Sequence, residues 1–342
     1  MSVRTTNILG YLTLFAMLGA IWVMFGEDPR REQGARGART FLGLEERVNE
    51  VATVVLKKGT ETATLKRSEN GWLLQERNNY SAEGGKVITF LRAIALSDRR
   101  EPKTANKGRF DRLGLGEDAL KIELLDETGG QLLAFDMGNR SGRASGKSLT
   151  YINQARDTRS WLVTELAEAS AAPSWWLDTA LVNIDEKRVS DMRVGKVWLT
   201  RKLDEPNFAM QGLRKGEEAA EYWQLRDPAR VVTGLTFDDV RQLSNPLSAP
   251  VGTIVLTTHD GLTLTLALYK MDAGVWVQLD AAFDAEVQNT GAGGVLAGAP
   301  ADGAAEAEAI RSKAKGWVFK LRQSDADVLT KQRTDFLKAK TE

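Results

Sequence analysis

Gly142-Arg143-Ala144-Ser145-Gly146-Lys147-Ser148 has the residue types of a phosphate-binding loop. Such a loop wraps phosphates with successive backbone N–H groups, and it needs four residues between its first glycine and the Gly-Lys-Ser. Here three intervene, the required position is Ser141, and Leu149-Thr150-Tyr151-Ile152-Asn153 reads as a strand where a helix should begin. The segment is therefore expected to be a polar hairpin loop, and no cofactor is expected. The single histidine, His259, lies in Thr258-His259-Asp260-Gly261, between two strand-like runs. Catalysis by histidine requires a nucleophile and an orienting group, and no G-x-S-x-G elbow is present to supply the first. His259 is read as a surface turn residue. Paired carboxylates occur at Glu45-Glu46, Glu217-Glu218, Asp238-Asp239 and Asp325 with Asp327. Glycoside hydrolysis would need two of them across one bond. The last two pairs have a simpler expectation, as acids in first helical turns that complement the macrodipole. None fits a calcium-loop pattern.

Composition narrows the chemistry further. The 342 residues include 46 basic and 46 acidic side chains and no cysteine. Absence of cysteine excludes disulfides, thiolate zinc sites, iron–sulfur clusters and thiol nucleophiles. Zero net charge argues against nucleic acid as the main partner, because phosphate binding needs a concentrated positive field. No catalytic or metal-binding residues are assigned, and the protein is expected not to be an enzyme.

Two features point to binding instead. Of nine tryptophans, Trp72, Trp198, Trp223, Trp276 and Trp317 fall at strand positions and are expected in packing. Trp175 and Trp176 are adjacent, so on a helix they point about 100° apart and need not both face the core. One of them is a candidate anchor for a partner or a sugar ring. Arg99, Arg100, Lys103, Lys107, Arg109 and Arg112 form the densest basic stretch. It is read as a solvated connection, with anionic lipid or an acidic partner as the alternative. Candidate partner-binding residues are therefore Trp175, Trp176, Arg99, Arg100, Lys103 and Lys107.

These residues need elements to hold them. Val51–Leu56 and Thr62–Lys66 read as strands, Asn70-Gly71 as a hairpin turn and Trp72-Leu73-Leu74 as a third strand. Ser81 is placed as N-cap of a helix with Val87, Phe90, Leu91 and Ile94 on one face. A connection at 99–112 leads to a hairpin of Leu120–Leu125 and Gln131–Phe135, then strands Leu149–Asn153 and Trp161–Val163. A short helix lies around Pro173–Asp178. The order then recurs after about 135 residues, too long a period for a solenoid. Val189–Val194 and Val197–Thr200 match the opening strands, and Tyr222-Trp223-Gln224-Leu225 matches Trp72-Leu73-Leu74. Leu235–Val240 is expected to begin the second helix, with a Thr236/Asp239 capping box and a Leu235/Val240 staple. Ile254–Thr258 and Leu262–Tyr269 repeat the hairpin, and Trp276–Leu279 and Trp317–Leu321 are late strands. Ser324–Leu337 is read as a terminal helix capped by Ser324 and Asp327. The expected fold is α+β: a duplicated unit of antiparallel sheet with packed helices, as repeat 1 (48–182) and repeat 2 (183–342), the latter with a low-complexity loop at 289–309.

Ahead of this body, Ile8–Phe25 is apolar, uncharged and about 18 residues long, the lower limit for spanning a bilayer. Tyr11, Trp22 and Phe25 lie near its ends, where aromatic rings favour the interface. Met24-Phe25-Gly26-Glu27-Asp28 is a poor signal-peptidase site, so an uncleaved single transmembrane helix is expected over 8–25, after a short tail (1–7). A cleaved signal peptide is the competing reading. The Gly/Arg-rich residues 26–47 read as a linker. Arg30, Arg31, Arg36 and Arg39 favour a cytoplasmic body, while the short N-terminal tail favours a body outside. The second is preferred: a single-pass bacterial inner-membrane protein with a periplasmic body.

Three motifs resemble domain-of-unknown-function family 4340. They are Phe110-Asp111-Arg112-Leu113-Gly114-Leu115, then Phe135-Asp136-Met137-Gly138 with Leu149-Thr150-Tyr151-Ile152 and Trp161-Leu162-Val163, and then Pro173-Ser174-Trp175-Trp176-Leu177-Asp178. The resemblance covers most of residues 48–280. The Gly/Ala insertion and the Gly/Ser/Arg segment 138–148 depart from the family pattern. The resemblance implies a single-pass membrane protein, non-catalytic, on the envelope side of a membrane complex and often encoded beside a gliding-motility-type ABC transporter. The expected partners are thus the lipid bilayer and an integral membrane protein such as ABC transporter subunits. An envelope polysaccharide-binding module using exposed aromatics is the alternative function.

Overall fold

The computed structural model describes residues 37–339 apart from 145–146, 156, 165, 246, 273 and 288–297. The expected tail (1–7), transmembrane helix (8–25) and first part of the linker lie outside the described residues. Among those described, no helix is long and apolar enough to cross a membrane. The chain divides into two compact units, one of residues up to Glu76 with Ser81–Trp176, the other of Arg77–Tyr80 with Leu177 onward. Each is built on one antiparallel sheet with helices added, so the fold is α+β.

In the first unit, β1 (Thr53–Lys58), β2 (Glu61–Ser68), β3 (Gly71–Leu74) and β4 (Tyr80–Ser81) precede α1 (Gly84–Leu96) and β5 (Arg99–Pro102). Then follow β6 (Leu120–Leu125), β7 (Gln131–Ala144), β8 (Lys147–Gln154) and β9 (Trp161–Thr164). They form a nine-stranded sheet of order β4-β3-β2-β1-β6-β7-β8-β9-β5. Strand alternation builds its core. Val54 lies opposite Leu65 and Leu124, Leu56 opposite Ala63 and Ile122, and all six are buried. α1 adds Val87, Phe90, Leu91 and Ile94, the stripe expected from their spacing. Each such side chain contributes about 1.5–3 kcal/mol by leaving water.

The second unit runs β10 (Val189–Val194), β11 (Val197–Thr200), β12 (Ala209–Met210), α2 (Tyr222–Thr233), β13 (Phe237–Gln242), β14 (Gly252–Thr258), β15 (Leu262–Met271) and β16 (Gly274–Phe283). α3 (Gly303–Ala314), β17 (Trp317–Leu321) and α4 (Gln323–Leu329) complete it. The eight strands are ordered β12-β11-β10-β14-β15-β16-β17-β13. Apart from β4, this is the order of the first sheet, strand for strand. Buried rows Met192–Leu256–Leu264–Ala281 and Val194–Ile254–Leu266–Leu279 cross four strands.

The match extends to irregularities. β5 pairs β9 with a register shift between Arg99 and Glu101, and β13 pairs β17 with one between Phe237 and Asp239. One residue before each bulged strand, an earlier segment bridges in: Arg39 to Asp98, and Ala180 to Thr236.

Several sequence expectations are corrected. Tyr222–Leu225 begins helix α2, not a strand, and Leu235–Val240 leads into strand β13, not a helix. The bulge explains the second error. It places Phe237 and Val240, three residues apart, on the same buried side, which mimics helical spacing. The Thr236/Asp239 box therefore does not exist; Glu221 and Gln224 cap α2 instead. Ser81 lies in β4, and α1 starts after Glu83 with no side-chain cap. The β2–β3 turn is Glu69-Asn70, because Ser68 pairs with Gly71, whose φ of 124° closes the hairpin. The terminal helix stops at Leu329, and a 3-10 turn at Arg333–Phe336 follows with its own Gln332/Asp335 box. In the supposed low-complexity loop, 303–309 belong to α3, whose N-terminus is capped by Asp302 accepting from Ala305 N at 2.9 Å. The stretch 289–297 lies outside the described residues. Linker residues 37–47 are part of the first unit: Gly37 N donates to Arg99 O at 2.7 Å, and Phe41 and Leu44 are buried. The 99–112 connection is strand β5 and a 3-10 turn at Lys107–Leu113.

Candidate functional site

Two of the quoted motifs meet in the first unit. The 3-10 turn Lys107–Leu113 buries Phe110 and ends at Gly114, whose φ of 68° only glycine takes without strain. The following loop lies against β7 at Gly138. A Cβ there would fall on the carbonyl oxygen of Leu113, and one on Gly114 would collide with Asn139. The chain also wraps the carboxylate of Asp111, which occupies the place a Cβ of Gly116 would need. These close approaches form one wall of an open cavity of about 500 Å³. Lys58, Asp111, Asp118, Arg140, Thr150 and Glu168 bring polar groups to it, while Leu120 and Met137 supply apolar surface. Asp136, the acid of the second motif, does not line it. It lies opposite Lys121 on the neighbouring strand, and burial pushes it above the ordinary carboxylate range while Lys121 opposes.

The sequence candidates are dispersed around this unit. Trp176 is wholly buried, with its ring edge-on to Phe90 at 5.5 Å and Nε1 donating to Ser170 O at 2.8 Å. It is a core residue and is removed from the partner-contact set. Trp175 remains 38% exposed; Lys86 Nζ lies 5.3 Å from its ring centroid and donates to its carbonyl at 2.9 Å. Arg99 is engaged rather than free. It bonds Gln154 and Asp157 and stacks 4.6 Å over Trp161, lining a separate cavity with Thr40 and Leu42. Arg100 is half-buried with an unpartnered Nε, and Lys103 pairs with Glu101 at 2.7 Å. Lys107 is exposed, as are Arg109 and Arg112. The basic stretch does not form one patch. Arg99 shares its cavity with Gln131–Ala134 at the start of β7, whereas the Lys107–Leu113 turn meets Gly138. A strand rises about 3.3 Å per residue, so these places are roughly 20 Å apart.

The phosphate-loop likeness resolves as strand: Gly142–Ala144 close β7 and Lys147 opens β8, with no helix after them. His259 occupies the β14–β15 turn as expected but is half-buried, with Nε2 unpartnered. Burial pushes its imidazole below 6.5, Arg201 adds to this, and Asp260 opposes. Asp238 and Asp239 sit on strand β13 rather than in a helical turn, and Asp239 accepts from Arg77. Asp325 does lie in the first turn of α4, while Asp327 accepts from Gln323. Glu45 pairs with Arg39, and Glu217 with Arg333. Of the strand tryptophans, Trp72 and Trp276 are buried, but Trp198 and Trp223 are exposed. Trp198 holds Asp191 through its indole N–H.

The sequence reading did not single out the buried ionic cluster of the second unit. Arg188, just before β10, forks onto Asp260 at 2.7 Å and onto Glu306 of α3 at 2.7 Å. Burial alone would lower the guanidinium's pKa, but both carboxylates outweigh it and the net shift is upward. Likewise, burial would raise Asp260, yet hydrogen bonds from Arg188 and Thr258 leave it below its ordinary range. Among the described residues, no three histidine or acidic side chains are grouped to hold a metal ion.

Architecture and site together describe a two-unit antiparallel α+β protein whose motif segments shape one polar cavity. The chain belongs to the family described as Domain of unknown function (DUF4340), whose family model matches residues 72–249, more than half its length. That span runs from β3 of the first unit to just beyond β13 of the second. Comparison with curated proteins and with solved structures gives no match.

Proposed function

We propose that this protein is a non-catalytic accessory protein, anchored by residues 8–25 in a bacterial inner membrane with its body on the periplasmic side. It acts by protein–protein association within a membrane complex, for which an ABC-type transporter is the expected kind of partner. The observation that carries the association is Trp175. Its ring is partly open to solvent while its backbone and one ring face are engaged. The adjoining Trp176 is locked in the core, and Lys86 holds both the Trp175 carbonyl and one ring face. A rigid, exposed aromatic loses little entropy on docking, which is why such residues anchor interfaces. The charge-free run and its aromatic flanks support the anchor.

Purification of the tagged full chain in mild detergent tests this reading. Integral membrane subunits should co-purify with the parent, and Trp175→Ala should lose them while keeping its melting temperature within a few degrees. Trp176→Ala should instead destabilise the fold by about 3–5 kcal/mol, as for a buried aromatic cut to alanine. Recovery of the same subunits with Trp175→Ala would remove the proposed contact. Binding to a glycan array with no protein partner would favour polysaccharide recognition.

A further inference from the structure

The cavity between the Lys107–Leu113 turn and β7 has charges of both signs that do not pair with one another. Lys58 and Arg140 carry cations to it, and Asp111, Asp118 and Glu168 carry carboxylates, yet no ion pair joins any of these five to another described residue. Among the described residues, Arg140 donates only to the carbonyl of Leu166, at 3.4 Å. Nor are the three carboxylates gathered around one point, since no acidic triad among the described residues could share a metal ion. They meet different parts of whatever enters.

A second observation points the same way. Thr150, which lines the cavity, is 1% exposed, and its buried Oγ1 has no hydrogen-bond partner. A buried hydroxyl without a partner costs about 1–3 kcal/mol, so native structures rarely keep one idle. Here a ligand polar atom would satisfy it.

We infer that this cavity binds a small zwitterion of the amino-acid or short-peptide class. Its ammonium is taken by the carboxylate of Asp111 and its carboxylate by Arg140 and Lys58, while Asp118 and Glu168 meet other polar groups of the ligand. A purely anionic ligand would face three carboxylates, and a purely cationic one would face Arg140 and Lys58. A volume of about 500 Å³ suits a dipeptide and lies within the usual range for small-molecule sites. The inference does not depend on membrane anchoring or on Trp175.

Titration calorimetry on the full chain in mild detergent tests it. The probes are glycine, lysine, glutamate and alanyl-alanine, with N-acetyl-alanyl-alanine amide and inorganic phosphate as blocked and anionic controls. At least one zwitterion should bind with Kd of about 1 mM or tighter, and the blocked peptide and phosphate should bind at least about tenfold more weakly. Arg140→Ala and Asp111→Asn, both at exposed positions, should each weaken binding about tenfold or more with unchanged melting. Thr150→Val, which keeps the shape of the wall, should weaken it several-fold. The inference is overturned if no zwitterion binds below about 10 mM, if blocked and free peptide bind alike, or if Arg140→Ala and Asp111→Asn leave affinity unchanged.

Discussion

Replacing Arg188 by methionine should be among the most destabilising changes available in the second unit. The guanidinium makes five hydrogen bonds, three to Asp260 and two to Glu306, at 2.7–3.3 Å. Side-chain exposure is 1% for Arg188, 4% for Asp260 and 19% for Glu306. Methionine fills similar volume but leaves two carboxylates facing each other out of water. Breaking one partner of such a pair costs about 3–5 kcal/mol. For a unit of this size that is a fall of roughly 10 °C or more in melting temperature. The pH dependence separates this cause from lost packing. In the parent, Asp260 is held below its ordinary 3.8, so its contribution is present above that value and fades as pH falls through the folded pKa. Without Arg188, burial dominates and raises the carboxylate. Its cost is then absent at low pH and grows as pH rises through the ordinary carboxylate range. The deficit between parent and Arg188→Met should therefore widen from pH 4 to pH 8, measured by urea unfolding followed by near-UV circular dichroism. The triple variant Arg188→Met/Asp260→Leu/Glu306→Met should recover most of the loss. A deficit below about 1 kcal/mol at pH 7, or one independent of pH, would refute the electrostatic argument.

Gly138→Ala should lower stability by about 1–3 kcal/mol in urea unfolding, because its Cβ meets the Leu113 carbonyl and the loop must lift; a neutral outcome would show that the loop shifts freely. His259 is held below 6.5 by burial and by Arg201, so the unfolded chain takes up this proton first on acidification. Stability should fall as pH drops below about 6.5, and His259→Gln should flatten that part of the curve in thermal melts between pH 7.5 and 5.

Regular alternation made most of the sheet legible in the sequence. Val54 and Leu56, or Leu264 and Leu266, need only period two and a facing partner to declare a half-buried strand. α1 was equally plain, since Val87, Phe90, Leu91 and Ile94 recur at helical spacing. The failures have local causes. Tyr222 and Trp223 look like strand residues but are the exposed start of α2, whose buried stripe is Leu225, Ala229 and Val232. Alanine-rich 303–309 reads by composition as part of a low-complexity loop, yet alanine is also the best helix former, and Asp302 supplies the start. The cavity was not legible. Its charges extend from Lys58 to Glu168, and only the order of β1, β6, β7 and β8 brings them to one place. The visible signal was indirect, in Gly114 and Gly138 of the quoted motifs.

The repeated irregularities carry more weight than the repeated strands. Antiparallel sheets of similar order can arise because neighbouring strands in sequence tend to pair. A bulge is different, because it inserts one unpaired residue at a particular step. It recurs between Arg99 and Glu101 and between Phe237 and Asp239, each time in the edge strand reached from the main helix. Just ahead of both, a segment from before the unit's first strand closes onto the same chain, through Arg39 and Asp98 or Ala180 and Thr236. That bridge turns residues 37–47 from linker into structure: Arg39 bonds Leu96 O and Asp98, and Phe41 stacks 4.7 Å from Phe135. Only eleven residues, 26–36, then separate the apolar run from the folded unit. At about 3.3–3.6 Å per residue they reach no more than about 40 Å. If residues 8–25 span the membrane as proposed, the first unit is held within one small-domain diameter of the bilayer.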